Sequence, residues 1–292
     1  MSEENLPCIL LTDNGSHRAE ATLSLRRIAG ELSEAVGHRV HPVSLLHSTK
    51  VDPAELGGTP AEIFEPFLKK KREEGVNSFL VVPLFFGHSA ATYEYLPQRV
   101  VELRGNWPEL EVRVAPCMVD ITDPSDTQVA TILGELVRKK IAEEELEKPA
   151  VTLVDHGTPR KFVNDVRNFL AEQLQKVLRE DASVVEASSM ERREGDEYAF
   201  NEPLLENLLG SPGFEKQVIL SMLFISPGRH AGPGGDIAVI CEKREGEVAG
   251  LETYMSDLFA THPGIIDILS RRFHEGLATE PVDAEVAPPV RA

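Results

Sequence analysis

Two histidines stand where a parallel sheet would place its chemistry. His156 follows the apolar run Val151 to Val154, in Asp155-His156-Gly157-Thr158, and His230 follows the run Val218 to Ile225, within Ser226-Pro-Gly-Arg-His-Ala-Gly-Pro-Gly-Gly-Asp236. Ligands of open parallel sheets sit at the carboxyl ends of the strands, so two imidazoles at neighbouring strand ends can face one cavity. Imidazole binds borderline divalent metals in its neutral form, which its unperturbed pKa permits at pH 7. Two histidines with open positions left over suit a metal that is held and then given up. Either histidine alone reads equally as an ordinary loop residue; the pair is what points to metal chemistry. Around His230, Gly228, Gly232, Gly234 and Gly235 let backbone N–H groups approach an anion closely, or make a mobile flap. Arg160 and Arg229 are suited to bidentate pairing with substrate carboxylates, or to surface ion pairs. Glu202, Glu206 and Asp155 are candidate proton acceptors, with solvated surface as the alternative. Other chemistries lack their motifs. A histidine phosphatase needs Arg before His-Gly, where this chain has Asp155, and neither a Gly-x-x-x-x-Gly-Lys-Ser/Thr phosphate loop nor a Gly-x-Ser-x-Gly elbow is present.

The elements that position these residues occur twice. Ile9-Leu-Leu-Thr-Asp13-Asn14-Gly15-Ser16-His17-Arg18 lines up with Val151-Thr-Leu-Val-Asp155-His156-Gly157-Thr158-Pro159-Arg160. Further on, Val81 to Phe86 lines up with Leu220 to Ile225, and Pro124 with Pro263, in the same order. Nearly continuous apolar runs (Cys8 to Leu11, Phe79 to Phe86, Val151 to Val154, Val218 to Ile225) have the character of strands covered on both faces. Between them Leu23 to Val36, Ala61 to Glu74 and Phe162 to Arg179 carry apolar residues at helical spacing. The pattern predicts an α/β protein of two tandem flavodoxin-like halves, each a parallel sheet flanked by helices. The expected boundaries are 1–148 and 149–275, with a Glu- and Lys-rich seam from Lys139 to Pro149. Residues 276–292, with Pro281, Pro288 and Pro289, read as a disordered tail.

Composition narrows the function classes. The 292 residues carry 30 Lys+Arg against 48 Asp+Glu, a formal net charge of −18, which excludes nucleic-acid binding by bulk charge. No window reaches the ~18 apolar residues of a membrane helix, and no basic-then-apolar leader opens the sequence, so a cytoplasmic location is expected. Cys8, Cys117 and Cys241 are odd in number and widely spaced, which argues against disulfides, a zinc ribbon or a cysteine-held cluster. A duplicated chain already supplies the pairing that a single-half protein would obtain by dimerising, so both a monomer and a homodimer are compatible with it.

On these residues the chain resembles the sirohydrochlorin chelatases, the class II chelatases that include cobaltochelatases and ferrochelatases. The resemblance covers nearly everything up to about residue 275. It rests on the strand ending Val154-Asp155-His156-Gly157-Thr158, on Met222-Leu223-Phe224 followed by Gly228-Arg229-His230, and on Thr261-His262-Pro263 at the last strand end. It implies that His156 and His230 hold the incoming metal and help strip protons from pyrrole nitrogens. It also implies a tetrapyrrole substrate, Co²⁺ or Fe²⁺ as the second substrate, and no organic cofactor. Cobalt would place the enzyme on the cobalamin branch, iron on the siroheme branch. In the first half Asn14 stands at the position of His156 and Ala91 at that of His230, with His88 three residues earlier. One active site is therefore expected, in the second half, with the first half as a pseudo-symmetric wall. The Gly-Pro-Gly-Gly insertion before Asp236 departs from the family pattern. The competing expectations are a non-catalytic carrier of metal or tetrapyrrole on the same fold and, without a supporting motif, a phosphate-binding α/β protein.

Overall fold

The computed structural model describes residues 6–232 and 234–282. Its strands are β1 (Cys8–Thr12), β2 (Val40–Pro42), β3 (Ser78–Pro83), β4 (Glu111–Val114), β5 (Ala150–Asp155), β6 (Val184–Ser189), β7 (Gln217–Met222) and β8 (Glu252–Met255). The helices are α1 (Ala19–Val36), α2 (Phe64–Glu73), α3 (Leu96–Arg104), α4 (Gln128–Glu143), α5 (Lys161–Val177), α6 (Leu205–Leu208), α7 (Asp236–Glu247) and α8 (Ile265–Leu277). They form two four-stranded sheets in the orders β2-β1-β3-β4 and β6-β5-β7-β8. Every pairing is parallel. The order is flavodoxin-like: the chain leaves the first strand to one side and returns to the other, opening a crevice at the strand ends.

The apolar runs become the central strands because both faces are covered. Ile9, Leu10 and Leu11 of β1, Phe79 to Val82 of β3, and Val151, Leu153 and Val154 of β5 are all buried. The strands nevertheless stop at Pro83 and Met222, short of the ends of those runs. Leu84 and Leu223 still donate to Thr12 and Val154, each adding one rung past its strand. The carbonyls beyond them turn to other loops: Phe85 and Phe86 accept from Met118 and Val119, and Phe224 and Ile225 from Phe259 and Ala260. The repeat seen in the sequence is thus a repeat of backbone hydrogen bonds.

The compact units do not coincide with the sequence halves. One unit comprises the described residues up to Val119 together with those from Ile265 onward, and the other runs from Asp120 to Gly264. Helix α4, which follows the last strand of the first half, packs on α5 and β7; α8, at the end of the second half, packs on α1, β3 and β4. The expected boundary between residues 148 and 149 lies in the loop between α4 and β5; it separates the two strand repeats, leaving α4 in the first sequence half and α8 in the second. Their apolar faces explain the exchange: Val129, Leu133 and Val137 of α4, and Ile265, Leu269 and Phe273 of α8, are buried in the unit they join. Full burial of such side chains contributes about 1.5–3 kcal/mol each.

Of the stretch expected as a disordered tail, residues 276–282 are described and are ordered. Gly276 and Leu277 belong to α8, Val282 donates to the Val112 carbonyl at 2.8 Å, and Arg113 reaches the Thr279 carbonyl at 3.1 Å. Residues 283–292 lie outside the described residues.

Candidate active site

Strands β5 and β7 are neighbours, with Val154 opposite Met222, so the loops leaving them meet. After β5 the chain turns through Gly157 at φ +89°, a left-handed conformation that disfavours any side chain. A Cβ there would lie 1.8 Å from the Glu191 carbonyl oxygen. This close approach lets the loop after β6 zip onto the loop after β5: Met190 donates to the Asp155 carbonyl at 2.8 Å and Glu191 to that of His156 at 3.2 Å. Glu191, which the sequence reading did not single out, is thereby brought to the site. Its Oε1 lies 3.4 Å from His156 Nε2.

The imidazoles of His156 and His230 meet edge to face, with ring centroids 4.4 Å apart. Metal–nitrogen bonds of about 2.0–2.1 Å place each ring centroid roughly 3.2 Å from a shared ion, so two cis imidazoles have centroids about 4.6–5.3 Å apart. The observed spacing is close to that range. The tautomers follow from the partners. His156 Nδ1 is 3.0 Å from the Gly157 carbonyl, and His230 Nδ1 is 2.7 Å from Asp236 Oδ2. Both partners only accept: at His230 this places the proton on Nδ1 and leaves the Nε2 lone pair free, and at His156 the 3.0 Å contact makes the same Nδ1–H tautomer the metal-ligating one. At His156 that lone pair faces the Glu191 carboxylate, another acceptor. A carboxylate oxygen and an imidazole nitrogen at this spacing can take one metal ion between them.

Asp236 occupies the first turn of α7, where the helix dipole favours a negative charge. The insertion before it therefore places this carboxylate on the back of His230. Gly235 is required here because a Cβ would come within 2.8 Å of the His230 carbonyl.

Behind His156 lies a buried network. Asp155 Oδ1 accepts from Gly157 N at 3.0 Å and from Ser189 Oγ at 2.6 Å, with Arg167 Nη1 at 3.9 Å. Burial pushes the Asp155 carboxyl above its usual range, while the Arg167 guanidinium pulls the other way. Arg167, 2% exposed, donates to Ser189 Oγ and to the Asn201 carbonyl. Asn201 in turn exchanges hydrogen bonds with the backbone of Thr158. Asp155 thus fixes the loop that carries His156.

The remaining candidates divide. Arg229 is largely exposed, its Nε 3.4 Å from Asp236, so it neighbours His230. Arg160 caps the start of α5, with its backbone N–H donating to Thr158 Oγ1. The N–H groups of Gly228 and Gly235 donate to Ala231 and Gly232 within the loop, which removes them from an anion cradle. Gly232 and Gly234 take positive φ values of 125° and 70°, so their role is to turn the chain. Glu202 pairs with Arg192 at 2.8 Å and Glu206 lies 4.0 Å from Lys243. His262 pairs with Glu135 at 2.8 Å.

In the other unit the same backbone carries different side chains. Gly15 turns at φ +88°, and Leu45 and Leu46 donate to Asp13 and Asn14 as Met190 and Glu191 do to Asp155 and His156. Asn14 replaces His156 and Leu46 replaces Glu191. His88 packs edge-on against Tyr93 at 5.7 Å, and Ala91 opens a single π-helical turn. Among the described residues no group of three or more His, Cys, Asp or Glu side chains forms a ready metal cage, and no helix is long and apolar enough to cross a membrane.

No protein-family model and no curated protein matches the sequence. Solved structures do. SirB from Bacillus subtilis with Fe³⁺ matches with a TM-score of 0.68 at 15% identity, over 96% of this chain and 100% of that one. The sirohydrochlorin chelatase SirB from Bacillus subtilis subspecies spizizenii in complex with cobalt gives 0.65 at 14%, over 96% and 100%. CbiX, the terminal enzyme for biosynthesis of siroheme in denitrifying bacteria, gives 0.56 at 14%, over 94% and 100%. The fold is that of these chelatases along nearly the whole chain.

Proposed function

We propose that this protein is a chelatase that inserts a divalent metal, Co²⁺ or Fe²⁺, into sirohydrochlorin or a closely related tetrapyrrole. The observation that carries the reading is the meeting of the His156 and His230 imidazoles with the Glu191 carboxylate at the carboxyl ends of β5, β7 and β6. The chelatase fold supports it.

Insertion requires stripping water from the metal, exposing a pyrrole-nitrogen lone pair and removing two protons. The Nε2 atoms of His156 and His230 supply two neutral ligands, enough to hold a borderline ion and too few to compete with four ring nitrogens. Glu191, beside His156, receives the two pyrrole protons one after the other as the metal passes from the imidazoles to the ring, releasing the first to solvent before it takes the second. It is 62% exposed on its side chain and returns each proton to solvent. Asp236 keeps the His230 lone pair on the metal side. Arg160 and Arg229 give a local positive patch for the macrocycle's carboxylates on a chain of charge −18. The metal and the tetrapyrrole are both substrates, and the reaction needs no organic cofactor.

The test is the absorbance change of sirohydrochlorin with Co²⁺, and anaerobically with Fe²⁺, against metal-only controls. The reading expects acceleration by the protein and loss of at least about 100-fold in His156→Ala, His230→Ala and Glu191→Gln, with folding intact. Acceleration retained in all three variants would remove the site from the chemistry. A bound spectrum without acceleration would leave a carrier of metal or tetrapyrrole.

A further inference from the structure

The first unit carries a second pair of imidazoles at the level where the other unit has its site. His17 lies two residues beyond the Gly15 turn, and His47 directly follows Leu46, the counterpart of Glu191. Both side chains are exposed, yet their ring centroids are 5.4 Å apart with planes inclined by 30°. Exposed imidazoles with open solvent around them gain little from each other, so their proximity calls for a cause in the backbone.

That cause is visible at His47. Its φ of 67° and ψ of −38°, with Ser48 N–H donating to the Leu46 carbonyl at 2.8 Å, form a γ-turn of positive φ. This turn is rare and strained for a residue with a side chain, by about 1–3 kcal/mol, and such strain persists where the surroundings enforce it. Here Ser48 enforces it. Ser48 is buried, its hydroxyl donates to Ser44 Oγ at 2.8 Å and accepts from Ser16 N at 3.2 Å. One buried hydroxyl therefore ties the β1 loop that bears His17 to the turn that bears His47.

We infer that His17 and His47 form a second metal-ion site, for a borderline divalent cation of the kind that prefers imidazole over oxygen ligands. Two imidazoles on a tetrahedral ion, with metal–nitrogen bonds of about 2.0–2.1 Å, have ring centroids about 5.3 Å apart. The 5.4 Å spacing matches that value, and χ2 is a broad torsion for histidine, free to turn either ring toward a shared ion. Hard ions such as Mg²⁺ are excluded by the ligand type. With two ligands and solvent on the open side, the site binds weakly and exchanges quickly. It does not depend on the proposed activity of the other unit.

The experiment is calorimetric titration of the full chain with Zn²⁺, an imidazole-binding ion of tetrahedral preference. Four proteins are compared: the unsubstituted chain, His156→Ala/His230→Ala, His17→Ala/His47→Gly, and the fourfold variant. His47→Gly removes the ligand and relaxes the turn, so loss of fold does not confuse the result. The expected stoichiometry falls by one ion in each double variant and by two in the fourfold variant. Unchanged stoichiometry in His17→Ala/His47→Gly overturns the inference. Failure of the active-site reading would appear instead as unchanged stoichiometry in His156→Ala/His230→Ala.

Discussion

Asp236 offers a measurable handle on how the site is set. Its Oδ2 accepts the Nδ1 proton of His230 at 2.7 Å and lies 3.4 Å from Arg229 Nε. Asp236→Asn keeps an acceptor of similar shape but removes the charge. A hydrogen bond to a charged group contributes about 1.5–3 kcal/mol against about 0.5–1.5 for a neutral one, so the substitution costs roughly 1 kcal/mol. The carboxylate side chain is 42% exposed, and solvent screening keeps the effect at the low end of the 10–100-fold typical of residues behind metal ligands, about five- to tenfold. Asp236→Ala removes the acceptor altogether, lets the ring turn and costs more. The assay is Co²⁺ affinity by titration together with the initial rate of Co²⁺ insertion into sirohydrochlorin. If Asp236→Asn stays within twofold of the unsubstituted protein in both, or if Asp236→Ala is the milder change, the assignment of the His230 tautomer is wrong.

Further expectations concern the scaffold. His88→Ala should retain most of the insertion rate, since His88 packs on Tyr93 and Asn14 stands where the other histidine would be; a large loss would give the first half a part in the chemistry. Truncation after Gly264 removes Ile265, Ile268, Leu269 and Phe273, each at most 1% exposed. At about 1.5–3 kcal/mol apiece this is about 6–12 kcal/mol, comparable to a whole domain's stability of about 5–15, so the first unit should lose its cooperative melting by circular dichroism while the second, complete in residues 120–264, keeps its own. Asp13 is buried like Asp155 but has Leu25 where Asp155 has Arg167, and its Oδ1 has no hydrogen-bond partner. Burial raises the Asp13 pKa, so its proton stabilises the fold fully below the unfolded carboxylate range, and that contribution is lost as pH rises through the raised value. Asp13→Asn should therefore raise Tm at pH 7 and flatten its decline with pH, whereas Asp155→Asn should lower Tm by leaving the Arg167 guanidinium buried without its carboxylate. Equal shifts in the two variants would contradict the difference in their partners.

The sequence alone determined the parallel α/β class, the duplication and the placement of His156 and His230 after neighbouring strands. Each of these is written in local order: continuous apolar runs make strands covered on both faces, and the residues just after such runs must lie at strand ends. What escaped it is equally specific. Glu191 is one of 48 acidic residues, and it follows β6, whose Val184, Val185 and Ala187 are only partly buried, so no apolar run marks the strand end that presents it. Only the Gly157 turn, pressed onto the Glu191 carbonyl, brings that carboxylate to His156. The exchange of α4 and α8 between units was likewise unreadable, because an amphipathic helix specifies that it must cover a sheet but not which sheet. His17 and His47, 30 residues apart in sequence, became a pair through the hydroxyl of Ser48, which links Ser16 to Ser44. Local patterning fixes which residues stand at the strand ends; contacts between loops distant in sequence decide which of them share a site.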